Sequence, residues 1–235
     1  MRISRRAALY SQARFDPDAH IRYTGSMTVI DDGSGRWRVK FLTSGTVTFT
    51  KDPDALDLFL VGGGGSGGQS GGGGGGGYTA LHSALSVAVN TGYPIVIGAG
   101  GAQVEAGSGN DGSPSSAFGH SAAGGKGGIR SLIYEERYGG DGGSGGGSWP
   151  DGAGGADGAN GQAGSQYTTR GGLGQGTTTR EFHEAGGAPY AAGGASGTDH
   201  AGALNTGDGG DGYAPVSGYY GLAGGSGIVV IRNAG

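Results

Sequence analysis

The sequence predicts a mainly β and irregular protein: a small N-terminal β-sheet unit, then a packed bundle, or sandwich, of polyglycine-II helices with β-hairpin and loop insertions. Three observations predict it. Glycine fills 62 of 235 positions, against a usual share of roughly 7%. Many of these glycines keep a three-residue register, as at 152, 155, 158, 161 and 164. That period is neither the 3.6 of an α-helix nor the 2 of a strand. Short apolar stretches with strand-like alternation lie before, between and after the glycine tracts.

Residues 1–24 form a first segment rich in arginine: Arg2, Arg5, Arg6, Arg14 and Arg22. It admits a short helix near 5–14. Two readings stay open, a flexible terminus and an attachment arm for a larger assembly that uses Arg2, Arg5, Arg6 and Arg14. Residues 25–61 read as an ordinary β-unit. A strand is expected at 27–30, a turn at Asp31-Asp32-Gly33-Ser34-Gly35, and a strand at 36–42 with Trp37, Val39 and Phe41 on one face. Alternation resumes at 46–50, and the apolar run 56–61 leads straight into glycine.

Residues 62–235 form the glycine-rich part. Its first tract, 62–77, holds seven consecutive glycines at 71–77. A polyproline-II-type helix has three residues per turn and no internal hydrogen bonds, so its buried amides and carbonyls must find neighbours. Glycine at one position in three permits one close neighbour, Gly-Gly-X two, and unbroken glycine contact all round. On this logic 71–77 is the central strut. The tracts 124–128, 139–147, 207–212 and 221–227 surround it, with Asp208 and Asp211 facing solvent. Collagen is excluded, because it needs abundant proline and the chain has 7. A disordered linker is disfavoured by the apolar segments between tracts, which require burial. A hairpin is expected from 85–89 and 93–97 through Asn90-Thr91-Gly92. The last strand, 228–231, is expected to pair with 58–61 at the base of the bundle.

Composition bounds function. With no cysteine there is neither a disulfide nor a thiolate metal site, and a net charge of −4 does not suggest a nucleic-acid partner. No apolar run approaches the roughly 18 residues of a membrane span, so no membrane insertion is expected. The N-terminus lacks the apolar stretch of a signal peptide. His20, His82, His120, His183 and His200 show no metal-ligand spacing. No nucleophile elbow follows a strand, and the glycine runs match GxGxxG by composition alone. The run 207–212 has calcium-repeat residues in an order that does not fit. No catalytic residue, metal site or cofactor is expected, and the chain does not read as an enzyme.

Polar and aromatic loops punctuate the glycine framework, and loops on rigid scaffolds are where binding residues concentrate. The segments Leu58-Phe59-Leu60-Val61 with the glycines after it, 71–79, 97–101, 174–182 and 224–232, taken in order, resemble the glycine-rich domains of bacteriophage and prophage tail-fibre proteins. The β-segment at 37–49 resembles the one that leads into such domains. The stretch 190–196 departs, with alanine and serine in place of glycine. The architecture also resembles tail-tip adhesins whose distal loops contact the host. The resemblance implies a virion component, on a phage tail or particle surface, that binds a host bacterial surface receptor, either a glycan or an outer protein. It implies contact with other virion or tail proteins through the N-terminus, and a homotrimer at the fibre. The receptor-facing residues it implies are Tyr134, Arg137, Tyr138, Tyr167, Tyr190, Tyr213, Tyr219 and Tyr220. The alternatives are a non-catalytic structural or decoration component of a virion, and an ice-binding protein. The last needs a flat face of regular alanine or threonine, whereas the outward positions mix Asp, Ser, Lys and Gln.

Overall fold

The computed structural model describes residues 14–130, 132, 137–148, 171–172, 178–212, 218 and 220–234. A single helical turn opens it: α1 (Pro17–His20) is capped by the Asp16 carboxylate, which accepts from the Asp18 amide. Ten strands follow in two antiparallel sheets. One is ordered β1 (Ile21–Tyr23), β4 (Gly45–Phe49), β7 (Gly92–Val96), β8 (Ser115–Ala117), β9 (His120–Ala122). The other is ordered β2 (Met27–Gly33), β3 (Arg36–Phe41), β10 (Ile228–Asn233), β5 (Leu56–Val61), β6 (Thr79–Leu85).

Alternation explains how the sheets meet. Trp37, Val39 and Phe41 of β3, Leu56, Leu58 and Leu60 of β5, and Val229 and Ile231 of β10 point to one side. There they share a buried core with Ile21, Val47, Phe49, Ile95, Ala117 and Ala122 of the other sheet. Each large apolar side chain so buried contributes roughly 1.5–3 kcal/mol. The opposite parity of β5 and β10, namely Phe59, Val61, Ile228 and Val230, is also buried, beneath Phe182, Tyr190 and Ala191. That double coverage is why every residue of β5 is buried.

The expected bundle of polyglycine-II helices is corrected. Among the described residues the regular structure is two five-stranded antiparallel sheets, and helix is limited to α1 and a 3-10 turn at Glu181–His183. No helical bundle is present among them. The physical reason lies in the side chains: alternating apolar residues bury two faces, a gain that glycine cannot supply. The strands before and after the tracts pair as expected, Leu58 opposite Ile231 and Val61 opposite Ile228. The expected hairpin through Asn90 is also corrected, because β6 pairs with β5 while β7 pairs with β4 and β8, in different sheets. Asn90, in the left-handed region at φ 60°, donates its amide to Phe49 O, which turns the chain from one sheet to the other.

The glycine tracts connect the sheets to their far surroundings through backbone hydrogen bonds of period three. The amides of Gly62, Gly65 and Gly68 donate to Tyr78, Gly75 and Gly72. Those of Gly63, Ser66 and Gln69 donate to Ser113, Asn110 and Gly107, and those of Gly64 and Gly67 to Gly225 and Leu222. The second half repeats the arrangement: Gly72 and Gly75 donate to Ile129 and Lys126, Gly73 and Gly76 to Gly147 and Ser144, and Gly74 and Gly77 to Gly210 and Gly207. All of 71–77 is buried. A Cβ on any of these seven would meet a backbone carbonyl oxygen inside 3.0 Å, which is the local reason the run is unbroken glycine. The register expected at 152–164 and the helix expected near 5–14 fall outside the described residues, apart from Arg14.

Candidate functional site

Two ends of the molecule present candidate binding surfaces. The tract from Gly62 leaves β5, turns at Gln69-Ser70 and returns to β6, so this turn marks the end remote from the sheets. Segments bonded near it share that end: Gly107 accepts from Gln69, and Ile129 accepts from Gly72. Ile129 in turn donates its amide to Tyr138 O at 2.8 Å, which closes the base of the loop between them. Around that closure apolar side chains stand in solvent: Ile129 at 41%, Leu132 at 83% and Tyr138 at 41% exposure. On the neighbouring segment, Gly221 bridges Val104, and Tyr220, half-buried, lies with its ring beside Gly218.

Of the residues expected to face a receptor, Tyr138, Tyr220 and the half-buried Arg137 lie at this end. Tyr190 does not. It is 7% exposed in the second core, 5.7 Å ring to ring from Phe59, with its hydroxyl donating to Glu181 at 2.8 Å. Burial and the adjacent Glu181 charge push that phenol far up. Its role is packing, because the loop that carries it folds back over β5 and β10. Tyr134, Tyr167, Tyr213 and Tyr219 lie outside the described residues, as do Arg2, Arg5 and Arg6. Arg14, expected in an attachment arm, donates to Ser34 O at 3.1 Å in the β2–β3 turn. Asp208 and Asp211 are corrected from solvent-facing to inward. Asp211 is 4% exposed and accepts from the Ala195 amide, Thr198 Oγ1 and the His200 amide, and Asp208 accepts from the Ala192 amide.

The second end was missed in the sequence. On the outer face of the sheet Asp57, Arg232 and Arg38 sit in one row across β5, β10 and β3. Arg38 binds Asp32 through two contacts of 2.7 Å and also pairs with Glu181, which takes a further bond of 2.7 Å from Lys40. Arg232 pairs with Asp57 at 3.1 Å and Glu184 at 2.6 Å, and its guanidinium lies 4.1 Å over the Phe182 ring. Burial pushes the Glu181 carboxyl up, but hydrogen bonds from Lys40, Tyr190 and Arg38 outweigh it and hold the group low. The hydrogen bond from Arg38 likewise holds Asp32 below the usual carboxylate range. The one sequence signal for this cluster was the cationic parity Arg36, Arg38, Lys40, opposite Trp37 and Val39. Its carboxylate partner Glu181 lies over 140 residues on, with no pattern to mark it.

Between these elements lies a cleft of about 750 Å³. Among the described residues no group of three or more His, Cys, Asp or Glu is arranged to hold a metal ion. No helix among them is long and apolar enough to cross a membrane. Residues 42–234 match the family model described as a glycine-rich domain, and the chain belongs to that family. No curated protein matches the chain.

Proposed function

We propose that this member of the glycine-rich domain family is an adhesin of a phage particle that binds a host-cell surface receptor through loops at the end remote from the sheets. One observation carries the reading. The loop closed by the Ile129 amide and Tyr138 O presents Ile129, Leu132 and Tyr138 to solvent at the far end of a framework whose own amides are bonded internally. Exposed aromatic and apolar side chains on a rigid base offer contact area at low entropic cost. The glycines contribute no side-chain chemistry, so recognition falls to the loops. The order of segments that resembles phage tail-fibre glycine-rich domains supports the same reading, and it makes the sheet end the side toward other virion proteins.

The test is adsorption. The purified chain, fluorescently labelled, is applied to bacterial cells of the phage's host range, alongside a Leu132→Asp/Tyr138→Ala/Tyr220→Ala variant. The expected result is a loss of at least tenfold in bound protein with an unchanged thermal melt. Equal binding by the folded variant overturns the assignment.

A further inference from the structure

We propose that the cleft at the sheet end is a second binding site, for an uncharged saccharide unit. It goes beyond the adhesin reading and does not depend on it, because it lies at the opposite end of the molecule. The cleft opens at the Asp57 end of β5, whereas the tract toward the remote turn leaves from Val61.

The ligand class follows from the lining. Three guanidiniums, those of Arg36, Arg38 and Arg232, face four carboxylates in the cleft wall. Lys40 adds a fourth positive charge through Glu181. The four positive and four negative charges balance, and Arg36, exposed, is the one cation of the four with no ion pair among the described residues. Hydrogen-bonding capacity remains. An arginine carries five N–H donors. Among the described residues Arg38 engages three of them and Arg232 two. The Glu184 carboxylate, 57% exposed, accepts one bond. A surface that alternates fixed donors and acceptors without net charge matches a ligand whose hydroxyls both donate and accept. Carbohydrate hydroxyls do both at close spacing.

Size and local backbone agree. A volume of about 750 Å³ falls within the roughly 300–1,000 Å³ of small-molecule sites. Gly186 and Gly187 form part of the wall, so backbone is open to an approaching ring. Phe182 and Ala84, also in the wall, are held at φ 54° and 57°. Non-glycine residues in that region cost of order 1–3 kcal/mol and concentrate at functional sites.

The experiment is an NMR titration of the full ¹⁵N-labelled chain with maltotriose, cellotriose, mannotriose and chitotriose, and separately with sodium sulfate and a mixed-charge hexapeptide. The expected result is saturable shifts from at least one trisaccharide at the Gly186 and Gly187 amides and the Arg38 and Arg232 Nε–H signals, with none from sulfate or the peptide. A Cβ at Gly186 meets nothing within 4 Å, so Gly186→Trp places an indole there without displacing the chain. It is expected to weaken binding at least tenfold at an unchanged melting temperature, while Gly186→Ala keeps binding. Absence of shifts with all four trisaccharides, equal binding by Gly186→Trp, or larger shifts with the peptide or sulfate each overturns the proposal. Cell adsorption of the unmodified chain reports on the remote loops separately.

Discussion

Arg38 and Arg232 stand directly opposite one another on β3 and β10, two like charges in register on one face of a sheet. Such a pair destabilises unless it is compensated. Here each guanidinium lies between two carboxylates, Asp32 and Glu181 for Arg38, Asp57 and Glu184 for Arg232. The segment carrying Glu181 and Glu184 is thereby drawn onto the sheet, where Phe182 and Tyr190 cover Phe59. The charge cluster and the second core are one construction.

Glu181→Gln is expected to lower unfolding stability by about 3 kcal/mol, since removing one partner of a buried ionic group leaves the others uncompensated. Glu181 is 1% exposed and contacts Arg38, Lys40 and Tyr190. Glu184→Gln, at a site 57% exposed, is expected to change stability by no more than about 0.5 kcal/mol. Urea denaturation of the two variants beside the parent chain measures the difference, and equal midpoints for both refute the account.

Stability is expected to fall in acid in two stages. His82 stacks on His120 with ring centroids 3.7 Å apart, joining edge strands β6 and β9 of the two sheets. Burial, and then the neighbouring imidazole, lower its affinity for a proton below the ordinary 6.5. A depressed folded value means that the unfolded chain takes up the proton first, so this contribution is whole above about pH 6.5 and is lost as pH falls through the folded value. Glu181 and Asp32, held below 4.5 and 3.8, act lower: their contribution is present above those values and is lost as pH falls through the folded ones. Asp208 has the opposite sign, because burial raises its carboxyl above 3.8 and its ionisation weakens the fold as pH rises. Asp208→Asn is therefore expected to raise the urea midpoint at pH 7, and His82→Phe to flatten the first acid stage. Midpoints taken every half unit from pH 3 to 8 check all three signs.

Much of the β scaffold was legible. Trp37, Val39 and Phe41 alternate with charged residues, and the run from Leu56 to Val61 and its partner from Ile228 to Ile231 are dense in residues that favour strands. The pairing of those last two strands was legible because each abuts a glycine tract. Strands β8 and β9 were not, since Ser115–Ala117 and His120–Ala122 carry almost no apolar signal and exist by pairing, β8 onto β7 and β9 onto β8. The dominance of sheets over a helical bundle is hidden for a related reason: a three-residue glycine register describes which neighbour each amide meets, and it does not by itself set the regular structure of the chain. The charged end was hidden because its partners, Arg38, Glu181 and Arg232, are brought together only by the fold. The burial of Tyr190 is hidden because a tyrosine in a polar loop looks the same in sequence whether the loop projects or folds back.

Asp211 illustrates a polar residue that holds the glycine framework laterally. Its carboxylate accepts from Ala195 N at 2.7 Å, Thr198 Oγ1 at 2.6 Å and His200 N at 2.8 Å. Asp208, three residues earlier, accepts from Ala192 N, three residues before Ala195. Asp211→Ala is expected to destabilise by about 2–3 kcal/mol, because it leaves donors at a buried site without their charged acceptor. Hydrogen exchange is expected to quicken first at the Ala195 and His200 amides. Unchanged exchange there sinks the assignment.

Gly74 is the sharpest test of what the seven-glycine run does. Its amide donates to Gly210 O, and its own carbonyl accepts from Gly194 N. A Cβ would run into the Gly65 carbonyl, which itself accepts from Gly210 N. The obstacle is backbone on the other arm of the same tract, 62–77, so no side chain can turn aside to make room. Gly74→Ala and Gly74→Val are therefore both expected to cost more than about 4 kcal/mol, the range reserved for a named steric or core defect. Gly186, where a Cβ meets open space, supplies the contrast: Gly186→Ala is expected to leave stability unchanged or raise it by about 0.4–1 kcal/mol through the unfolded chain. Composition is the same in both substitutions, one glycine lost for one alanine. A flexible spacer would treat the two alike, so thermal melts of Gly74→Ala and Gly186→Ala that coincide would show that the run from Gly71 to Gly77 is not an enclosed, hydrogen-bonded strut.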